Sequence, residues 1–279
     1  WNLRSNMANQ AGVPNDDKLV IQSAGPNHFT WLLRAEYDGE DVMPRIIEKL
    51  RANAAEDFNR QAQGGTASSK GYLNNAIALE LYDAFGVLPT VVGHTKEYVP
   101  YYQMSNVVAE DTVPPLMTFN VPDRVKWTND VWQRVDDYLA GQVDIAEFDT
   151  EFGPDPATDL VEAMWGNLGR RFFVNTFNDG AVPNMPDDAF IEMYCEISME
   201  GPRPLPCPRM PRGVRGLCEQ VLDTHELTAE AIHHGDRALL RRAMLTDPIV
   251  LRIPDADALI DELMEAEREA LPEHWFVEA

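Results

Sequence analysis

The chain has 279 residues and a formal charge of −23, from 23 Lys and Arg against 46 Asp and Glu. Hydrophobic residues make up 44%, enough to bury a sizeable core, so global disorder is excluded, and a balance this acidic repels the phosphates of nucleic acids and of anionic membranes. No apolar run approaches the roughly 18 residues a membrane span needs. Trp1 opens the chain without a charged n-region or an apolar h-region. The three cysteines (Cys195, Cys207, Cys218) are odd in number and lack CxxC spacing. They fit a reducing, cytoplasmic compartment and argue against a disulfide scaffold or a structural zinc site.

In chain order, residues 18–23 predict a short strand that runs into Gly25-Pro26-Asn27-His28, a turn signal carrying two chemically capable side chains. Ile46, Ile47, Leu50, Ala54 and Phe58 recur at helical spacing over 41–62, and the Gly- and Ser-rich stretch 63–71 reads as a loop. Leu73, Ile77, Leu81 and Phe85 predict a helix that stops at Gly86. His94-Thr95-Lys96-Glu97-Tyr98-Val99-Pro100-Tyr101-Tyr102 is dense in ionisable and aromatic groups. A helix is expected over 128–140, a linker at 153–158 and a helix capped by Asp159. Arg171–Thr176 and Phe190–Ile197 read as strands joined by a turn at Asn178-Asp179-Gly180. The five prolines of 201–213 forbid regular helix and central strand there. From Val214 onward the chain reads as mostly helical, with the last helices over 227–234, 237–246 (capped by Asp236) and 256–270 (capped by Asp255). Helices dominate and the few strands come in pairs, which is an α+β pattern.

Most familiar chemistries are missing. There is no GxGxxG or GxxxxGK[ST] phosphate loop. His225-Glu226 begins like HExxH, but position 229 is Ala. His233 and His234 are neighbours on a helix, about 100° apart around its axis, so they chelate one ion poorly. His274 has no partner in sequence, and no GxSxG is present. Two segments remain. Asn27-His28 puts an imidazole, a common metal ligand, in a turn after a strand. His94 through Tyr102 offers His94 as a base near neutral pH, and Tyr98 as one only if a cation or metal lowers its pKa.

The order of the segments resembles glycoside hydrolase family 4. Gly25-Pro26-Asn27-His28-Phe29-Thr30-Trp31 is similar to its G-x-N-H-x-x-W motif, followed by Asp41 and Pro44 at the family's spacing. His94–Pro100 is similar to its next active-site segment and Asn175–Glu192 to its asparagine-rich strand–turn–strand. Leu227–Ala231, Gly235-Asp236-Arg237 and Leu245–Pro248 are similar to its closing helices. The resemblance runs from about Val20 to about Pro272. The segments His94–Pro100, Gly201–Pro206 and Met210–Arg215 place it nearest the α-galacturonidase-like branch.

The resemblance implies an NAD- and manganese-dependent glycosidase, the redox exception among glycoside hydrolases. NAD takes a hydride from C3 of the sugar, and the metal polarises the oxygens at C2 and C3. A base removes the C2 proton, the aglycone leaves, water adds and the hydride returns. By the same resemblance His28 is a metal ligand, Asn27 contacts substrate, and His94 or Tyr98 is the base. The family's ligand Cys and its nucleotide-binding half lie upstream of G-x-N-H, and none of the three cysteines matches that ligand. The sequence is therefore expected to be one carboxy-terminal domain over 1–279, without the amino-terminal Rossmann half. The expected fold is similar to the lactate dehydrogenase carboxy-terminal domain, helix-rich with small antiparallel sheets. It would supply the sugar pocket and half the metal site, and be incomplete as a catalyst. Family members associate, so a homo-oligomer is implied, although no periodic seam marks one. A uronide substrate needs a cation near its carboxylate, with Arg34, Arg45, Lys96, Arg124 and Arg203 as candidates. The competing readings are an α-glucosidase or α-galactosidase of the same family, and a non-catalytic module that kept the fold.

Overall fold

The computed structural model describes residues 2–62, 69–102, 121–147 and 156–276. Most of the loop expected at 63–71 and half of the linker expected at 153–158 lie outside them, while 156–158 already belong to a helix. The strands join one antiparallel sheet. Along its main path β3 (Glu40–Asp41) pairs β2 (Trp31–Tyr37), then β1 (Leu19–Gly25), β6 (Phe190–Ser198) and β5 (Arg170–Phe177) follow. The short β4 (Leu88–Pro89) adds to β2, and β7 (Gly201–Pro204) adds to β6. The contact between β1 and β6 is confined to Ala24↔Met193 and Gly25↔Glu192. The two halves of the sheet thus meet where β1 ends.

Both faces of the sheet are covered. Along β6, Ile191, Met193, Cys195 and Ile197 are buried while the residues between them are not, the period-2 pattern of a strand with one face in the core. That face packs on α3 (Ser69–Phe85) through Ile77 and Leu81, and on α7 (Arg212–His234) through Val214, Cys218 and Val221. Leu19 and Ile21 on β1, with Leu32 and Ala35 on β2, pack instead with α1 (Asn2–Ala11) and with Ile46, Ile47 and Leu50 of α2 (Met43–Ala62). Leu32 and Ala35 are an odd number apart yet share a cluster. The register explains this: Gln22 faces Arg34 but Ser23 faces Leu32, so Leu33 is the extra residue of a β-bulge.

The carboxy-terminal helices differ in their limits from the sequence reading. α7 starts at Arg212, close to Val214 where helix is expected to begin, and runs unbroken through 227–234, with the Val214 and Arg215 amides donating to Pro211 O. Its first turns hold Gly213 and Gly216, poor helix formers. A Cβ at position 213 would meet Phe85 Cδ1 at 3.3 Å, so the glycine serves close helix packing. Asp236 caps α8 (Arg237–Thr246) as expected, accepting from the amides of Ala238 and Leu239. Asp159 and Asp255 are not caps. They sit in the first turns of α6 (Pro156–Trp165) and α9 (Ile253–Ala266), where prolines start the helices and an acidic residue favours the helix dipole. Within the proline-rich stretch Gly201–Pro204 form the edge strand β7, as the missing amides require, but Arg212 and Gly213, after the last proline, already belong to α7. Among the described residues no helix is long and apolar enough to cross a membrane.

The loop between β5 and β6 is organised by Asn178, which is fully buried. Its Nδ2 donates to the carbonyls of Val182, Met185 and Pro186, and its Oδ1 accepts from the Val182 amide at 2.7 Å. Truncation would orphan several buried backbone groups at once, each costing roughly 1–3 kcal/mol. Asn178→Ala is expected to lower stability by about 3 kcal/mol in urea unfolding, an effect large enough to separate this network from an ordinary polar loop.

Candidate functional site

The site grows from the end of β1. At Gly25 φ is +156°, and a Cβ would stand 2.3 Å from the carbonyl oxygen of Phe29. Only glycine permits the chain to fold back this closely. The Phe29 amide donates to Pro26 O at 2.8 Å, closing a four-residue turn over Asn27 and His28. His28 occupies the third position of that turn with φ +102°, a conformation glycine takes easily and other residues take at a cost of roughly 1–3 kcal/mol. Phe29 anchors the turn by full burial, edge-on to Trp31 with ring centroids 5.4 Å apart.

Two distant segments grip Asn27. Its backbone carbonyl accepts from the Tyr98 hydroxyl at 3.0 Å, and its side-chain Oδ1 accepts from Asn175 Nδ2 at 2.8 Å. The ring of His28 stacks on that of His94, centroids 4.9 Å apart. His94 comes from the short helix α4 (Val92–Thr95), which is fixed by the buried Thr95, whose hydroxyl donates to Val91 O. His94 Nδ1 lies 2.9 Å from a carboxylate oxygen of Glu97. The Nε2 of His94 and both ring nitrogens of His28 have no hydrogen bond to a described residue.

Thus the four residues singled out in sequence (Asn27, His28, His94 and Tyr98) stand together. The structure adds neighbours that the sequence reading passed over. Tyr98 packs on Phe29 and meets His225 of α7 edge-on at 6.4 Å. Burial raises the Tyr98 phenol above its ordinary pKa, and the charges of Glu97, Asp247 and Glu192 raise it further. Burial pushes His225 down, opposed by Asp247 and Glu226. Asn175, Glu192 and Asp247 all fell inside quoted segments without being assigned. His225 was weighed only as half of a failed HExxH.

The donor set fits a metal in part. His28 offers one imidazole without a protein partner, but no group of three His, Cys, Asp or Glu among the described residues could hold an ion. Cys195 and Cys218 are buried, and burial pushes the thiols of Cys195 and Cys207 up to about 12, so neither of the latter pair is poised as a thiolate ligand. His233 and His234 pack on each other in the last turn of α7, and His274 stacks on Trp275. Of the cations considered, Arg34, Arg45 and Arg203 pair with Glu36, Glu40 and Glu196. Lys96 lies within the site segment, and the Arg124 side chain falls outside the described part.

His28→Gly is expected to raise stability by about 1 kcal/mol, because it releases backbone strain; a melting temperature at or below that of the parent would count against strain at this residue. The His225 shift has a definite sign. Its folded-state pKa lies below the ordinary 6.5, so below that pH the unfolded chain takes up a proton that the folded chain resists. The contribution is complete above 6.5 and is lost as pH falls through the folded-state pKa. Urea midpoints at pH 7.5 and pH 5 should therefore differ less in His225→Gln than in the parent.

Comparison with known proteins identifies the family. The model of the family 4 glycosyl hydrolase C-terminal domain matches residues 23–250. A 6-phospho-alpha-glucosidase of Leptotrichia buccalis is 26% identical over 269 residues, covering 95% of this chain and 59% of the relative. An alpha-galacturonidase of Bacillus subtilis is 25% identical over 259 residues, covering 91% and 55% respectively. A crystal structure of 6-phospho-alpha-glucosidase from gut microorganisms, in complex with NAD and glucose-6-phosphate, superposes with a TM-score of 0.70 at 19% identity. The match covers 97% of this chain and 60% of that one. The 6-phospho-beta glucosidase of Thermotoga maritima, with manganese, NAD+ and glucose-6-phosphate, gives 0.65 at 18% identity, covering 96% and 58%. The chain therefore spans a little over half the length of these relatives. It belongs to the family 4 glycosyl hydrolases, as their C-terminal domain.

Proposed function

We propose that this chain, as one domain over 1–279, supplies the sugar pocket and half the metal site of an NAD- and manganese-dependent glycoside hydrolase acting on an α-galacturonide or similar uronide. The observation that carries the reading is the strained His28 stacked on His94 beside a doubly held Asn27. When bound, NAD would exchange a hydride at C3 and manganese would act as Lewis acid at the C2 and C3 oxygens.

The chain's own groups then divide the work. His28 gives an imidazole nitrogen to the metal. Asn27, immobilised through its carbonyl and its amide, presents its remaining Nδ2 donor to the sugar. His94 Nε2 accepts the C2 proton, while the Glu97 carboxylate on Nδ1 holds the ring and balances the charge that forms. Tyr98 is a poorer base, because its hydroxyl already donates to Asn27 and its pKa is raised. Its role is to hold the turn. Lys96, within the His94–Tyr102 segment, is the cation proposed here for the uronate carboxylate. The family relationship extends the reading to a cytoplasmic protein that self-associates.

A second reading is favoured by the phosphosugar relatives: a 6-phosphoglucoside, also anionic at C6. An assay of the whole gene product containing this chain, with NAD and Mn2+, separates them. Aryl α-galacturonide should be cleaved, with deuterium at C2 exchanged into solvent, and the 6-phosphoglucoside and neutral glycosides should not. Hydrolysis that persists without NAD would overturn the mechanism. His94→Gln should cut the rate about 100-fold or more, and Tyr98→Phe by about tenfold. Equal losses in the two variants would overturn the choice of His94.

A further inference from the structure

We infer that Glu192 and Asn175 form a paired acceptor subsite that reads hydroxyl groups of the sugar and fixes which edge of the ring faces the sheet. This deepens the sugar-site reading and rests on it. The register places Glu192 between Gly25 on β1 and Asn175 on β5, so the three residues form one row across the sheet. Glu192 alternates with the core residues Ile191 and Met193, so it leaves β6 on the opposite face. Gly25 carries no side chain and the Phe29 carbonyl takes that space, so Glu192 stands next to the strand end from which the Asn27-His28 turn departs.

The polar accounting in this row does not close. Asn175 Nδ2 is committed to Asn27 Oδ1, while Asn175 Oδ1 is shielded from solvent and accepts nothing. With Asn27 Oδ1 as the acceptor of this bond, turning the Asn175 amide over would set oxygen against oxygen, so in this arrangement the orphan is an acceptor. Glu192 Oε2 is likewise shielded and unpartnered, and no described residue donates to this half-buried carboxylate. Two neighbouring buried acceptors without donors are rare in a native protein and call for an explanation. Asn175 bonds Asn27, Glu192 pairs with Asn175 across the strands, and the Glu192 charge reaches the Tyr98 phenol. They are thus part of the candidate site.

What is missing is a pair of donors. Sugar hydroxyls supply them, and a hydroxyl held by a carboxylate makes a charge-assisted bond. The terminal torsion of a glutamate is soft, so the carboxylate can turn an oxygen toward an incoming hydroxyl. A uronate carboxylate or a phosphate is repelled from this row. The anionic end of the substrate must then lie on the far side, and the hydroxyl edge against Glu192.

The test is calorimetric binding of galacturonic acid and glucose 6-phosphate, each with its monodeoxyfluoro analogues, to the parent and to Glu192→Gln. Fluorine accepts but cannot donate. In the parent, one analogue should bind about tenfold or more weakly; in Glu192→Gln the parent sugar should weaken similarly, with no further loss for that analogue. Glu192→Asp, which keeps the charge but withdraws it, should behave as Glu192→Gln and covers the case in which the first variant melts early. An unchanged analogue penalty in both variants overturns the inference alone. Loss of Mn2+ binding in Glu192→Gln, measured without sugar, also overturns it and makes Glu192 a metal ligand. Failure of the parent to bind any of these sugars sinks the proposed function together with the inference.

Discussion

The backbone doubles back at Gly25 so tightly that the Phe29 carbonyl occupies the space of a side chain. That steric constraint places Asn27 and His28 at the end of β1, where the two halves of the sheet touch. It also leaves His28 in a strained conformation that the rest of the turn must sustain. Burying Phe29 contributes roughly 1.5–3 kcal/mol, comparable to the strain. The bonds from Tyr98 and Asn175 to Asn27 add to that and join three remote stretches of chain. The site is therefore rigid on the side built from β1.

Electrostatics around this turn are uniformly acidic. Glu97, Asp247 and Glu192 all act on Tyr98 in the direction that keeps its phenol protonated. The same field favours a cation near His28, and the charge of −23 is concordant with that.

Much of this was legible in the sequence because it is local. The Gly-Pro-Asn-His run names its own turn, the alternation of Phe190–Ser198 names a half-buried strand, and Asp236 names its helix start. Other parts depend on contacts between distant positions. Nothing near Asn175 announces that its amide serves Asn27, 148 residues earlier. The bulge at Leu33 follows from register alone, and the purpose of Gly213 shows only in the approach of Phe85. Glu192 sits in a strand where an outward glutamate is ordinary. Its lack of a donor is visible only once the neighbouring strands are in place.

The left-handed backbone at His28 has an evolutionary consequence. A copy of this chain relieved of its chemistry would gain stability by replacing that histidine with glycine, so neutral drift would run one way. The residue at this single turn position therefore works as a molecular fossil. Histidine there marks a lineage still under selection for what the imidazole does, and glycine marks one living on the fold alone.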